Sequence, residues 1–298
     1  MESNRLVELL GLPRPLVADG AMGTRLQDMG LPAGTPPELW VEEQPEIVLR
    51  VHKGYLAAGA DIILTNSFGA NRYKLGKYGL AQRAAALAEK AAILARGAGE
   101  KAVVLGSIGP TGALLRPFGK LTLAEAQEIY AEAAVALARG GVDAIHLETF
   151  FFLGELEAAL LGVLAATELP ISCSMTFEKK GATIMGNPVE AFAVEIEALG
   201  EGRVVMLGVN CGTGPVEAEY LVERLCAATQ LPVLVKPNAG QPKLVGNRTV
   251  YDVSPEAFAA SARRWLQAGA KVVGGCCGTT DAHIRALAEV VKEWKKTN

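Results

Sequence analysis

Five cysteines in 298 residues are too few, and odd in number, for the disulfide framework that staples small secreted domains. No lysine- or arginine-rich run is longer than the C-terminal KEWKK, which reads as a solvated helix end. With a net charge of -3, the chain lacks the basic surface that nucleic acid demands, so no nucleic-acid partner is expected. From the polar start MESNR no secretory leader is expected. The apolar runs are broken by charges, Gly or Pro before they span a bilayer, which points to a cytoplasmic protein without membrane contact. Linkers and composition breaks are absent too, and the 33 glycines are dispersed rather than clustered, so residues 1–298 read as a single domain.

What is present is an eightfold alternation. Short β-branched or apolar runs (LVADGAMG, DIILTNSFG, AVVLGSIGP, AIHLETFF, PISCSMTF, VVMLGVNCG, PVLVKPNAG and KVVGGCCGTT) each end in Gly, Asn, Thr or Pro and are followed by a stretch of helical periodicity. The helix boundaries are self-consistent, as in Ser254-Pro255 through Gly269, with a capping residue and proline at the start and glycine at the end. Strict βα alternation requires parallel strands. Eight units fit an α/β fold of one kind best, a single (β/α)8 TIM barrel. The segment before Leu16 is expected to be a short helix under the barrel, and GLPAGTPPELW a long first βα loop.

In such a barrel the C-terminal strand ends converge on one mouth. There the pattern places Asp19 and Met22 (strand one), Thr65 (two), Glu148 (four), Asn210 and Cys211 (six), Asn238 (seven), and the adjacent pair Cys276 and Cys277 (eight). Strands six and eight flank one intervening strand, so Cys211 is expected to meet Cys276 and Cys277. Three soft thiolates select zinc, and three protein ligands leave the exchangeable fourth position of a catalytic site. Gly274, Gly275 and Gly278 would let the backbone turn so that both neighbouring cysteines reach one metal.

DGAMGT, GVNCGTGP, KPNAG and GGCCGTT, in this order and over nearly the whole chain, resemble the homocysteine S-methyltransferase family, above all its homocysteine-binding barrels in cobalamin-dependent enzymes. The resemblance implies a zinc-containing (β/α)8 barrel with the metal on Cys211, Cys276 and Cys277, and transfer of a methyl group to the homocysteine thiolate to give methionine. It also implies that Asp19 and Glu148 hold the substrate ammonium. For the substrate carboxylate, backbone N–H groups or hydroxyls at Ala21, Met22 and Thr65 are the positional candidates, and Asn210 or Asn238 would orient ligands or the partner. The methyl donor stays open. Methylcobalamin on a partner protein, or cobalamin- and folate-bearing modules supplied in trans, stand beside a free-standing enzyme using S-methylmethionine or betaine.

Other features have plainer readings. Cys173 and Cys226 read as small buried hydrophobes, His146 as a buried barrel histidine, His52 and His283 as surface or interface residues, and Phe150, Phe151 and Phe152 as barrel packing. Two rival functions remain at this point. One is a phosphate-binding barrel using GSIGPTG or GGCCGTT as a cradle. The other is a zinc store or redox sensor, which leaves Asp19 and Glu148 without a role.

Overall fold

The computed structural model describes residues 4–178, 180–246 and 248–297. Strands β1 (Leu16–Val17), β2 (Ile62–Leu64), β3 (Val103–Ile108), β4 (Ala144–Phe150), β5 (Ile171–Met175), β6 (Val204–Asn210) and β7 (Val233–Lys236) are followed by a hairpin, β8 (Lys243–Val245) and β9 (Arg248–Val250), and then by β10 (Val272–Val273). The helices are α1 (Arg5–Leu10), α2 (Gly23–Asp28), α3 (Trp40–Glu43), α4 (Pro45–Ala57), α5 (Arg72–Gly76), α6 (Ala84–Arg96), α7 (Leu123–Arg139), α8 (Leu153–Ala166), α9 (Val189–Leu199), α10 (Glu217–Ala228), α11 (Pro255–Gln267) and α12 (Asp281–Thr297).

Eight strands form one parallel sheet in the order β1-β10-β7-β6-β5-β4-β3-β2. A parallel bridge between Ala18 and Ile62 and the bond from Asp19 N–H to the Ile62 carbonyl at 2.9 Å join its two edges. The sheet is thus the nearly closed (β/α)8 barrel that the alternation predicts. All eight strands lie within the expected runs; β1 and β10 shrink to two residues because the chain leaves the pleat at Asp19-Gly20 and Gly274-Gly275.

Inward-facing residues stack in layers. At the bottom, Leu16, Ile62, Val103, Ala144, Leu234 and Val272 pack with Leu6 and Leu10 of α1, so the short helix closes the barrel as expected. Above them sits a small polar layer, in which His146 Nδ1 lies 2.9 Å from the Ser172 hydroxyl. Burial pushes the His146 imidazole down to about 3, so it is neutral and structural. The top layer carries Asp19, Glu148, Lys236 and the cysteines. The outer core lies between strands and helices, and it takes up Phe150 against Tyr130, with ring centroids 5.8 Å apart.

Three expectations need correction. His52 is fully buried, because it shares the inward stripe of α4 with Val48, Val51 and Tyr55. His283 is also buried: its Nδ1 accepts from Thr280 N–H at 3.2 Å and its Nε2 lies 2.9 Å from the Val253 carbonyl. Cys226 is half-buried rather than buried, packed on the edge of the core, whereas Cys173 is fully enclosed. The hairpin β8–β9 has no counterpart in the expected elements. Its β8 side chains are all exposed, so it lacks the apolar alternation that marks a strand.

Neither ring nitrogen of His52 has a hydrogen-bond partner among the described residues, and burial lowers its pKa to about 4. The unfolded chain therefore binds a proton near pH 6.5 that the folded chain refuses until about 4. This contribution to stability is present above 6.5 and falls as pH drops through that window, by at most about 1.4 kcal/mol per pH unit. His52→Leu is expected to flatten this part of the pH dependence in denaturant melts at pH 7 and pH 5. An unchanged slope would remove His52 as its source.

Candidate active site

The three cysteines are held by one short segment. At the end of β7, the Lys236 carbonyl accepts from Cys211 N–H at 3.0 Å, the Pro237 carbonyl from Cys276 N–H at 2.8 Å, and Asn238 Oδ1 from Cys277 N–H at 3.1 Å. The KPN triplet thus clamps the backbone on both sides, and this gives Asn238 a positioning role. Cys211 adopts a left-handed backbone, φ 58°, as does Thr149 at φ 65°. Such conformations are costly for residues with a Cβ and persist where surrounding bonds hold them. Of the glycines beside the pair, only Gly278 has positive φ, and an added Cβ there would meet the Tyr251 ring. Gly274 and Gly275 serve close packing instead, since a Cβ would strike Ala18 and Thr279 respectively.

The three sulfurs lie within 4.8 Å of one another, with Cys276 and Cys277 Sγ 4.0 Å apart. Four-coordinate zinc with bonds of about 2.3 Å sets its sulfurs about 3.8 Å apart, so the trio fits that ion with small adjustments. Its electrostatics agree. The Cys276 and Cys277 thiols donate to Cys211 and pull its pKa down to about 3, while the shared charge pushes Cys276 well up and Cys277 up to about 12. Three sulfurs at this spacing offer the soft donor set that selects zinc.

The cluster forms part of the wall of a cavity of ≈ 520 Å³, together with Asp19, Ala21, Met22, Thr65 and Glu148. Asn210 does not line it. Its side chain is spent beneath, accepting from Thr149 N–H at 3.0 Å and the Ser174 hydroxyl at 2.7 Å and donating to Thr149 Oγ1 at 2.7 Å, so it braces the strained Thr149. Two of the candidate carboxylate donors are also committed. Ala21 N–H goes to Thr279 Oγ1 at 3.0 Å, and the Thr65 hydroxyl lies 2.6 Å from Ser67 Oγ while accepting from Ser107 N–H at 2.9 Å.

Sequence reasoning passed over Lys236. Its Nζ donates to Asp19 Oδ1 at 2.6 Å, with both side chains 3% exposed, and Asp19 Oδ2 accepts from Leu64 N–H at 2.7 Å. Burial raises the Asp19 and Glu148 carboxyls, and Lys236 works against it at both. Burial works to lower Lys236 too, yet Asp19 and Glu148 outweigh it and keep the ammonium charged. The signal was a lysine closing an apolar strand in PVLVKPNAG. Ser107, whose hydroxyl donates to Glu148 Oε1, was missed as well, as was Glu38, buried in the cavity wall with Oε1 taking Gly69 N–H at 2.6 Å.

A phosphate cradle is not built here. In GSIGPTG, Thr111 N–H and Oγ1 are taken by the buried Glu155 carboxylate at 2.9 and 2.6 Å. In GGCCGTT, the N–H groups of Gly275 through Thr279 all have protein partners.

The chain is similar to known proteins of one family. A family profile described as homocysteine S-methyltransferase matches residues 16–291. Methionine synthase of Mycobacterium tuberculosis (strain ATCC 25618 / H37Rv) is 36% identical over 302 residues, covering 95% of this chain and 25% of that protein. That of Mycobacterium leprae (strain TN) is 35% identical over 297 residues, covering 93% and 24%. The chain therefore spans about a quarter of the length of these relatives. The crystal structure of the Escherichia coli homocysteine methyltransferase MmuM in its metallated form superposes with a TM-score of 0.81 at 28% identity, covering 96% of this chain and 99% of that one.

Proposed function

The chain belongs to the homocysteine S-methyltransferase family, and from that premise we propose that it methylates the sulfur of homocysteine to give methionine, with zinc held by Cys211, Cys276 and Cys277. The observation that carries this reading is the junction of a three-sulfur cluster and a buried carboxylate, Glu148, in the wall of one cavity. Bound there, zinc supplies a Lewis acid that favours the thiolate form of a substrate sulfur near neutral pH. The protein supplies the rest. Glu148, fixed by Ser107, faces the substrate ammonium, and the KPN clamp keeps the cysteine backbones in place. A zinc store or redox sensor has no need of a buried carboxylate beside the sulfurs.

For the donor, the likeness to methionine synthases supports methylcobalamin, or a cobalamin- and folate-bearing partner. The likeness to the homocysteine methyltransferase MmuM favours a second reading, a small donor such as S-methylmethionine or betaine. A donor screen with the zinc-loaded chain separates the two.

Homocysteine binding is expected to release close to one proton at pH 7, since a thiol with a pKa of about 8.5 becomes a thiolate. Calorimetry in buffers of different ionisation enthalpy counts that proton, and metal analysis of the same preparation should find about one zinc per chain. Binding without proton release, or full activity in a zinc-free chain, would sink the mechanism.

A further inference from the structure

The cavity of ≈ 520 Å³ is in the range that holds a drug-sized ligand, so one small amino acid leaves part of it for the methyl donor. Besides the cysteines, its wall carries Phe68, Lys74 and Glu38. An aromatic face beside an anion is a natural seat for an onium group, a sulfonium or a quaternary ammonium. Here the chain's own ammonium fills that seat. Lys74 Nζ stands 4.4 Å from the centroid of the Phe68 ring, and the ring is backed by Gly109, where an added Cβ would lie 2.2 Å from Phe68 Cε2. Glu38 comes to the same place. An added Cβ on Gly69 would lie 2.8 Å from Glu38 Oε1 and 3.2 Å from Lys74 Cδ and Cε, so both side chains cross this glycine. The Lys74 backbone is fixed as well, its N–H donating to the capping Asn71 Oδ1 of α5 at 2.8 Å. Burial works to lower the Lys74 ammonium and Glu38 works against it, while nearby Lys77 adds a second positive charge.

We propose that Lys74 is a specificity-determining residue for the methyl donor: it occupies the onium site formed by Phe68 and Glu38, and so turns away donors that carry a positive charge. S-methylmethionine and betaine are both of that class. Transfer from an onium would form an S–CH3 bond on homocysteine and break the donor's own S–CH3 or N–CH3 bond, with that electron pair left on the donor heteroatom. Lys74 acts before this step, by denying the donor its place. Of the two donor readings above, the arrangement favours the methyl group borne on a corrin. This inference deepens the homocysteine methyltransferase reading and rests on it.

The test is calorimetric binding to the zinc-loaded full chain of betaine and of 3,3-dimethylbutyrate, which keeps the shape and carboxylate of betaine with carbon in place of the charged nitrogen. The ratio of the two affinities isolates the onium charge. The wild type is expected to bind betaine no better than its carbon analogue. Lys74→Met should shift the ratio in favour of betaine by about tenfold, the scale of one cation–π contact on a desolvated face, and should bind S-methylmethionine more tightly than the wild type does. Lys74→Arg keeps the charge and should keep the wild-type ratio, and zinc content reports whether each variant is folded. A Lys74→Met ratio equal to that of the wild type overturns the assignment. A wild type that prefers betaine by about tenfold, or that methylates homocysteine from either onium donor, overturns it without any variant. Homocysteine takes no part in the ratio, so failure of the wild type to bind homocysteine is a different outcome, which removes the methyltransferase reading itself.

Discussion

Cys211→Ala is expected to abolish stable zinc retention and to lower methyl transfer by about a thousandfold or more, beyond the 10–100-fold typical of residues that only support a metal ligand. The sulfur of Cys211 is the one on which the Cys276 and Cys277 thiols converge. Its removal leaves two neighbouring sulfurs and no third, short of the three protein ligands of a catalytic zinc site. Substrate sulfur would then revert to its free-thiol behaviour, a few per cent thiolate at neutral pH. Cys211→Ser, nearly isosteric, should lose metal in the same way, which separates ligand chemistry from packing. Cys226→Ala, at the edge of the core and outside the cluster, should keep its zinc. If Cys211→Ala and Cys211→Ser both retained full occupancy, the ligand set would have to be sought elsewhere.

Glu148→Gln is expected to keep fold and zinc while weakening homocysteine by about ten- to a hundredfold, the equivalent of about 1.5–3 kcal/mol for a lost charge-assisted hydrogen bond. The substitution removes charge at nearly constant shape and leaves the Ser107 hydroxyl an acceptor. A thiol without an amino group, 4-mercaptobutyrate, has no ammonium to lose and should bind wild type and variant alike. Equal loss for both thiols would assign Glu148 to the scaffold, and unchanged binding of both would take it out of the site. Glu148 is the member of the acid pair to test first because Asp19 already has both carboxylate oxygens engaged by Lys236 and Leu64.

The barrel and the cysteine cluster were legible in the sequence because both rest on local signals. Strand and helix periodicities differ, each strand run ends at a turn residue, and eight repeats of that alternation admit few topologies. Once the strands are parallel, their C-terminal ends share a mouth, and Cys211 at the end of strand six must lie near Cys276 and Cys277 at the end of strand eight. The hydroxyl and amide assignments were less secure, since position at the mouth does not say whether a donor is free. Thr65 and Ala21 reach the cavity with their polar groups committed, and Asn210 turns beneath it to brace Thr149.

By itself, then, the sequence determined the (β/α)8 architecture and the meeting of three sulfurs, because periodicity and strand-end position are properties of short segments. Only the tertiary structure decided how the charges pair. Asp19 and Lys236 are 217 residues apart in the chain and become neighbours through the order β1-β10-β7 and the inward parity of each strand end. The same assembly turned His52 inward and gave the KPN triplet its hold on all three cysteine amides. Burial and hydrogen-bond partnership are set by what packs against a residue from distant elements, and a residue's own neighbours in sequence do not carry that information.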